Sequence, residues 1–412
     1  MQQDDGQEVA ASSNSAAHSP LSPLEIALFR ENIHAVEAAR VGRRDRLLAF
    51  AMARHQRLGL NSPAYGVSRD VCSVIASFVP GVRVMVAGGL LYVREDEDRY
   101  FEQEATTAVS ISDMLGRDLQ VIEPLPVAIS HATLLQYQKR DEIWCVGGRS
   151  QASMSFLTSA FVYSLRTRSW RTVENVFKRE RIGGKFVIYK NSLLSFGGWC
   201  PSSEGPCPDD VYTIDGKPRW PRGLPKLIEE NQVGGNALDL ILIKDLLVVR
   251  FSESVSLLYD EHPQDHAFYI DLRSKAPKWK PFPGWQADLI QVCWTVFDGN
   301  LLILGGQLDS GCPTCSVACD KTLRFDFATS RFEEMDSLLA ERVMQSYPVF
   351  SEFRGGGKKL MLIGGWHLVN YGDSEGQFLP LEMGKDGKWR QLKTEKFPAQ
   401  KLVGAGLLQL SM

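Results

Sequence analysis

Long apolar runs, charge of one sign and cysteine are all scarce in this 412-residue chain. No apolar stretch approaches the roughly 20 residues that a membrane-crossing helix needs, so the sequence predicts no helical span and no membrane partner. Lysine and arginine number 46 against 49 aspartates and glutamates, a formal net charge of -3. That balance leaves no basic field to hold a nucleic-acid backbone, and nucleic acid is not an expected partner. Met1 to Glu8 carries Asp4, Asp5 and Glu8 but no basic residue, unlike a secretory n-region or an Arg-rich transit peptide. The expected location is therefore cytoplasmic, with nuclear as the alternative. Cysteines number eight, of which Cys145 and Cys293 lie in apolar strand-like runs and Cys72 in a helix-like one. Small buried thiols fit that placement better than a disulfide framework. Walker loop, G-x-S-x-G elbow and H-E-x-x-H are absent from the sequence, so no linear signature of an enzyme is present.

What the chain has in quantity is glycine, 35 residues, and proline, 20, the mark of many tight turns. The glycines are ordered. Apolar runs end in a Gly pair at VRVMVAGG, IWCVGG, LLSFGG, LLILGG and LMLIGG, with first glycines at 88, 147, 197, 305 and 364. The spacings are 59, 50, 108 and 59, and the long one spans two units. Where the missing pair is due, LLVVRF ends in Arg250-Phe251 instead.

After each run comes a short strand-like segment, a turn and then a Trp: Trp170, Trp220, Trp279 and Trp389, with Phe332 and Leu119 at the same place in two copies. Before each run lies a further strand joined to it by a tight turn, at Asn191-Ser192, Lys244-Asp245 and Asp298-Gly299-Asn300. Short strands at a period of 50 to 60 residues are the pattern of a propeller blade. A lone blade cannot cover both faces of its sheet, so blades pack face to face around an axis. Leu402 to Leu410 reads as an inner strand without a following partner, and Val82 to Gly89 as a second strand without a preceding one. The two are expected to pair and close the ring. The fold class predicted is all-β, a six-bladed propeller over 81–412, with a helical region over 21–80 and a disordered tail over 1–20.

The double-Gly and distal-Trp register resembles the kelch-repeat family over about four fifths of the chain. In such a ring, loops after the second strands and between blades share one face, the usual docking surface of kelch proteins. That resemblance implies an exposed set of Arg149, Lys178, Arg179, Arg181, Trp199, Trp285, Arg342, Trp366 and His367. Trp and Arg suit binding hot spots, and this mixture suits an acidic peptide or protein segment as partner.

In the N-terminal region Ser22, Pro23 and Glu25 supply an N-cap, an N1 proline and an N3 acid, followed by Leu24, Leu28, Phe29, Ile33 and Val36 at helical spacing. Arginines 43, 44, 46, 54 and 57 then flank a second apolar series, read as a solvated helix face or a contact for an acidic partner. Ser68 to Pro80 resembles the first third of an F-box, the element that anchors substrate adaptors to a ubiquitin-ligase scaffold, although strand-like Val82 follows at once. The alternative is a helix packed on the ring.

Two segments carry possible metal chemistry. Cys312, Cys315 and Cys319 form a C-x-x-C with a third thiol, three of the four ligands of a structural zinc site. Cys200, Cys207 and His367 are the candidates for a fourth, and reduced thiols or a disulfide are the other readings. Glu261 and Asp265 match two ligands of the iron site found in proteins resembling plant specifier proteins, but the third place is Tyr269. No cofactor is expected beyond that candidate zinc. The function expected is a protein-interaction scaffold or ligase adaptor. A propeller enzyme, epimerase-like or oxidase-like, is the alternative, with catalytic groups gathered from separate blades.

Overall fold

The computed structural model describes residues 20–38, 83–94, 101–113, 120–153, 155–181, 184–200, 205–206, 210–214, 236–252, 265–284, 289–290, 292–308, 317–338, 347–353, 357–363, 381–383, 388–391, 402–403 and 406–410. Among the described residues it is an all-β arrangement with one α-helix, near the N-terminus, and every strand pairing is antiparallel.

Among the described residues, six of the ten sheets are built on the repeated apolar runs and follow one another along the chain. The second is typical: Thr133–Tyr137, Glu142–Val146, Ala160–Ser164 and Ser169–Val173 pair in sequence order. The third is Lys185–Tyr189, Ser192–Phe196 and Asp210–Thr213. The fourth is Asn236–Ile243, Leu246–Ser252, Asp265–Asp271 and Lys280–Pro281. The fifth is Cys293–Phe297, Asn300–Leu304, Thr322–Asp326 and Arg331–Glu334. The sixth is Tyr347–Phe353, Gly357–Ile363, Leu381–Met383 and Trp389–Gln391. In the first sheet, Arg83–Ala87 pairs on one side with Val109–Asp113 and on the other with Gly406–Leu410. The C-terminal strand and the first strand after the helical region therefore share a sheet, with Arg83 opposite Leu410 and Ala87 opposite Gly406.

The second strands read as continuous apolar runs because both of their faces are covered. Alternate residues enter different cores. Ile143 and Cys145 pack with Met85, Val109 and Ile111 of the first sheet, whereas Trp144 and Val146 pack with Phe186 and Leu193 of the third. Leu194 and Phe196 then meet Leu247 and Val249. Val248 meets Trp294 and Ile303, and Leu302 and Leu304 meet Leu360 and Leu362. Buried Cys145 and Cys293 are free thiols within these layers, and burial alone pushes Cys145 up to about 12.

The described repeat aromatics reach back to the preceding unit. The Trp389 indole, 3% exposed, donates to Thr322 Oγ1 of the fifth sheet at 3.0 Å. Trp279 meets Phe196 of the third sheet edge to face at 6.0 Å. Phe332, at a Trp place, is buried against Phe282 and Trp294. Trp170 is only half-covered; its indole N–H donates to the carbonyl of Glu123 at 2.8 Å on the way from the first sheet to the second.

The hairpin turns lie at Lys190–Asn191, one residue earlier than read from the sequence, and at Lys244–Asp245 and Asp298–Gly299. Asp298 and Gly299 both have positive φ, 48° and 75°, the conformation that matches a tight turn to the twist of its strands.

The four described Gly pairs have positive φ at both residues. At Gly148, φ 90°, a Cβ would lie 2.6 Å from the Ser130 carbonyl oxygen and 3.1 Å from the Ala132 nitrogen, so both conformation and space require glycine. The pairs mark where the chain leaves its main sheet. The expected loops do not follow at once: extended pairing resumes in small rim sheets, Arg149–Ser150 with Ile129–Ser130, Trp199–Cys200 with Gly205–Pro206, and Gln307–Leu308 between Leu289–Ile290 and Val317–Ala318. Leu90–Arg94 pairs likewise with Phe101–Ala105 and with Leu402–Val403.

The fourth sheet departs from this plan, and its missing glycines explain how. Without the kink, Leu246–Ser252 runs straight on, and the partner strand absorbs the mismatch in a bulge between Ala237 and Asp239. Arg250, fully buried, donates from Nη1 to Asp239 Oδ2 at 3.2 Å, directly across the ladder. Burial raises the Asp239 carboxyl above its ordinary range; the charges of Arg250 and Lys185 and a hydrogen bond from the Val292 backbone pull it back.

The helix spans residues 23–38 and starts as a capping box: Ser22 N donates to Glu25 Oε2 at 2.9 Å and Glu25 N to Ser22 Oγ at 3.4 Å. Phe29 and Ile33 are fully buried against the fourth and fifth sheets. Leu24, expected on that apolar face, is instead 81% exposed. Residues 1–19 and 39–82, which include the arginine cluster and the F-box-like segment, lie outside the described residues. Among the described residues no helix is long and apolar enough to cross a membrane.

Candidate protein-binding rim

The rim beyond the Gly pairs is where the sequence places its binding residues. Around the second and third sheets the backbone shows how cations are presented there. Arg149 opens the strand Arg149–Ser150, opposite Ser130, and is exposed. The loop behind it is compact: Ser150 N donates to the Ser155 carbonyl at 2.9 Å, and Ser153 N to Ser150 Oγ at 3.4 Å.

Past the outer strand Ser169–Val173 the chain turns inward once. Val176 and Phe177 are buried, Phe177 N donates to the Thr158 carbonyl at 3.0 Å, and the Phe177 ring lies 5.0 Å from Phe186. This apolar plug leaves the next two residues, Lys178 and Arg179, exposed on the rim. Arg181 does not join them. It is 4% exposed, donates from Nη1 to the Gly197 carbonyl at 3.0 Å, and holds its guanidinium 5.6 Å from the Phe177 ring centre. The expectation of an exposed Arg181 is therefore corrected: its charge ties the second-to-third connection to a rim glycine.

His131, which sequence reading passed over, stands beside Arg149. Lost hydration, with the Arg149 charge added, lowers its pKa and favours the neutral imidazole near pH 7. Its signal in the sequence was slight, a polar residue just before an inner strand; it takes a left-handed φ of 59°.

Trp199 has its backbone paired with Pro206 in a rim sheet, but its side chain lies outside the described residues, as do Trp285, Arg342, Trp366 and His367. Cys312, Cys315 and Cys207 are also outside them, and Cys200 is described only as a backbone pair with Gly205. Cys319 is buried, its Sγ accepts the Lys321 N–H at 3.4 Å, and burial raises its thiol pKa. Among the described residues no group of three or more His, Cys, Asp or Glu is placed to hold a metal ion. Of the iron-like pattern, Glu261 lies outside the described residues. Asp265 starts a strand, and Tyr269 is buried in it, its hydroxyl donating to Glu25 Oε1 at 2.6 Å.

No protein-family model matches the chain, and no curated protein matches it by sequence. Solved structures do match. The chain is similar in fold to the protein described as "Structure of YjhT", with a TM-score of 0.52 and 12% identity over 75% of this chain and 97% of that one. At that identity the likeness is one of fold, and the class it defines with the antiparallel sheets above is a β-propeller.

Proposed function

We propose that the chain is a six-bladed kelch-type ring that serves as a protein-binding scaffold, docking an acidic segment of a partner protein on the glycine rim. Support for the ring comes from its inner strands, which touch in cyclic order. Gly406–Leu410 contacts Thr133–Tyr137, which contacts Lys185–Tyr189; the series continues through Asn236–Ile243, Cys293–Phe297 and Tyr347–Phe353 back to Gly406–Leu410. Support for the docking face comes from one observation above all: Lys178 and Arg179 are held exposed by a buried plug on the rim that also presents Arg149. A backbone already ordered beneath these cations need not be ordered on binding, and charge-assisted hydrogen bonds to carboxylates are the stronger kind. Zinc at Cys312, Cys315 and Cys319, and a ligase-adaptor role for the N-terminal region, rest on the sequence motifs alone.

The test is binding of the full chain to an array of acidic peptides, with Arg149, Lys178 and Arg179 changed together to Ala. The expected result is a loss of binding in the triple variant and, in the wild type, a fall in affinity as salt screens the contact. An unchanged set of bound peptides would remove this face from consideration.

A further inference from the structure

The seam between the fourth and fifth sheets is latched differently from the two before it. At those earlier seams a tyrosine ending the inner strand reaches the hairpin turn of the next sheet. Tyr137 and Asn191 Oδ1 are 2.9 Å apart, as are Tyr189 and Asp245 Oδ1. The inner strands of the fourth and fifth sheets end instead in Ile243 and Phe297, which carry no hydroxyl.

At this seam the N-terminal helix takes over. Asn32, fully buried, accepts the Asp245 N–H on Oδ1 at 3.2 Å and donates from Nδ2 to the Leu28 carbonyl at 2.8 Å. One turn on, Glu37 Oε1 accepts the Gly299 N–H at 2.7 Å. Phe29 and Ile33 fill the groove, and Phe29 meets Tyr269 and Phe282 edge to face at 5.0 and 5.6 Å. The entry is tied as well: Leu21 N donates to Ser330 Oγ at 2.9 Å, and Glu25 Oε1 accepts from Tyr269 and Lys280, each at 2.6 Å.

Hairpin turns of both sheets and side chains of the fourth are thus held by one helix, and Leu21 just before it is tied to the fifth. We propose that the groove between the fourth and fifth sheets is a helix-docking site whose occupant is this chain's own residues 21–37, and that the docked helix is the latch of that seam. The helical region and the ring are then one coupled unit: a partner that draws the helix away loosens the seam, and one that tightens the seam holds the helix.

The experiment is amide hydrogen exchange on the full-length chain carrying Ile33→Asp, which places a charge in the groove. Protection is expected to fall by at least about tenfold at Asp245, Gly299 and residues 294–297, while residues 142–146 of the second sheet keep theirs. Excess synthetic peptide of residues 20–38 is expected to restore the seam, and the same peptide with Asn32→Ala to restore it less. Free exchange in the helix with wild-type protection at Asp245 and Gly299 would overturn the proposal, because the helix would then be an appendage. Should Ile33→Asp fail to fold, Asn32→Ala in the full chain retains the apolar contacts. It is expected to lower protection at Asp245, and an unchanged amide there overturns the latch equally.

Discussion

Arg250 occupies the place where the repeat calls for glycine, and restoring the repeat there is expected to harm the protein. Arg250→Gly leaves Asp239, 5% exposed, without its partner across the ladder. Breaking a buried ion pair from one side costs about 3–5 kcal/mol. A second route gives a similar ceiling. The stranded carboxyl escapes its charge by taking up a proton, and for an ordinary carboxyl near pKa ~3.9 this costs about 1.36 kcal/mol per pH unit, about 4 kcal/mol at pH 7 and about 1.5 at pH 5.

The sign follows from burial, which raises this carboxyl. A raised folded-state pKa means that the penalty is absent below the unfolded pKa and grows as pH rises above it. Loss of Arg250 raises that pKa further, so the gap between variant and wild type should narrow from pH 7 to pH 5. Arg250→Met keeps most of the stem and isolates the charge effect, while Asp239→Asn combined with Arg250→Met should recover most of the loss. Urea unfolding followed by tryptophan fluorescence at the two pH values measures all three. A cost for Arg250→Met below about 1 kcal/mol at pH 7, or one equal at both pH values, would refute the reasoning.

Four further substitutions test the packing of the ring. Trp389→Ala should destabilise by roughly 3–5 kcal/mol through its cavity. Trp389→Phe should lose less, chiefly the bond to the buried Thr322 hydroxyl, about 1–3 kcal/mol; thermal or urea melts distinguish them, and equal effects would place the indole outside the core. Gly148→Ala should cost several times more than Gly299→Ala, although both glycines have positive φ. A Cβ at Gly299 meets open space and bears only the left-handed backbone penalty of about 1–2 kcal/mol, whereas one at Gly148 collides with fixed backbone. Similar melting temperatures would contradict that geometry.

The strand repeats were legible because two-sided burial writes itself as an unbroken apolar run, and the kinks because glycine alone tolerates them. Two-residue rim strands such as Arg149–Ser150 are too short to show any periodicity, so the sequence read them as loops. Arg181 was misplaced for a related reason. Lys178 to Arg181 looks uniformly charged, and only tertiary structure brings the Gly197 carbonyl and the Phe177 ring to the last of the four. The bulge opposite Arg250 likewise depends on a missing kink in one strand and slack in its neighbour. Helix 23–38 was readable from its cap and spacing, but its seat was not, since Asn32 and Glu37 bond to residues more than 200 positions away. Within the candidate rim, residue type gave Arg149, Lys178 and Arg179, while the Phe177 plug that aims two of them emerged only from packing.

The pairing of Arg83–Ala87 with Gly406–Leu410 has a bearing on biosynthesis. Arg83–Ala87 leaves the ribosome early and must wait, with an open ladder edge, until nearly every later strand has been translated. Throughout that interval the unpaired edge is a template for mispairing with a neighbouring nascent chain. Crowded polysomes would then be a condition that favours aggregation of this protein.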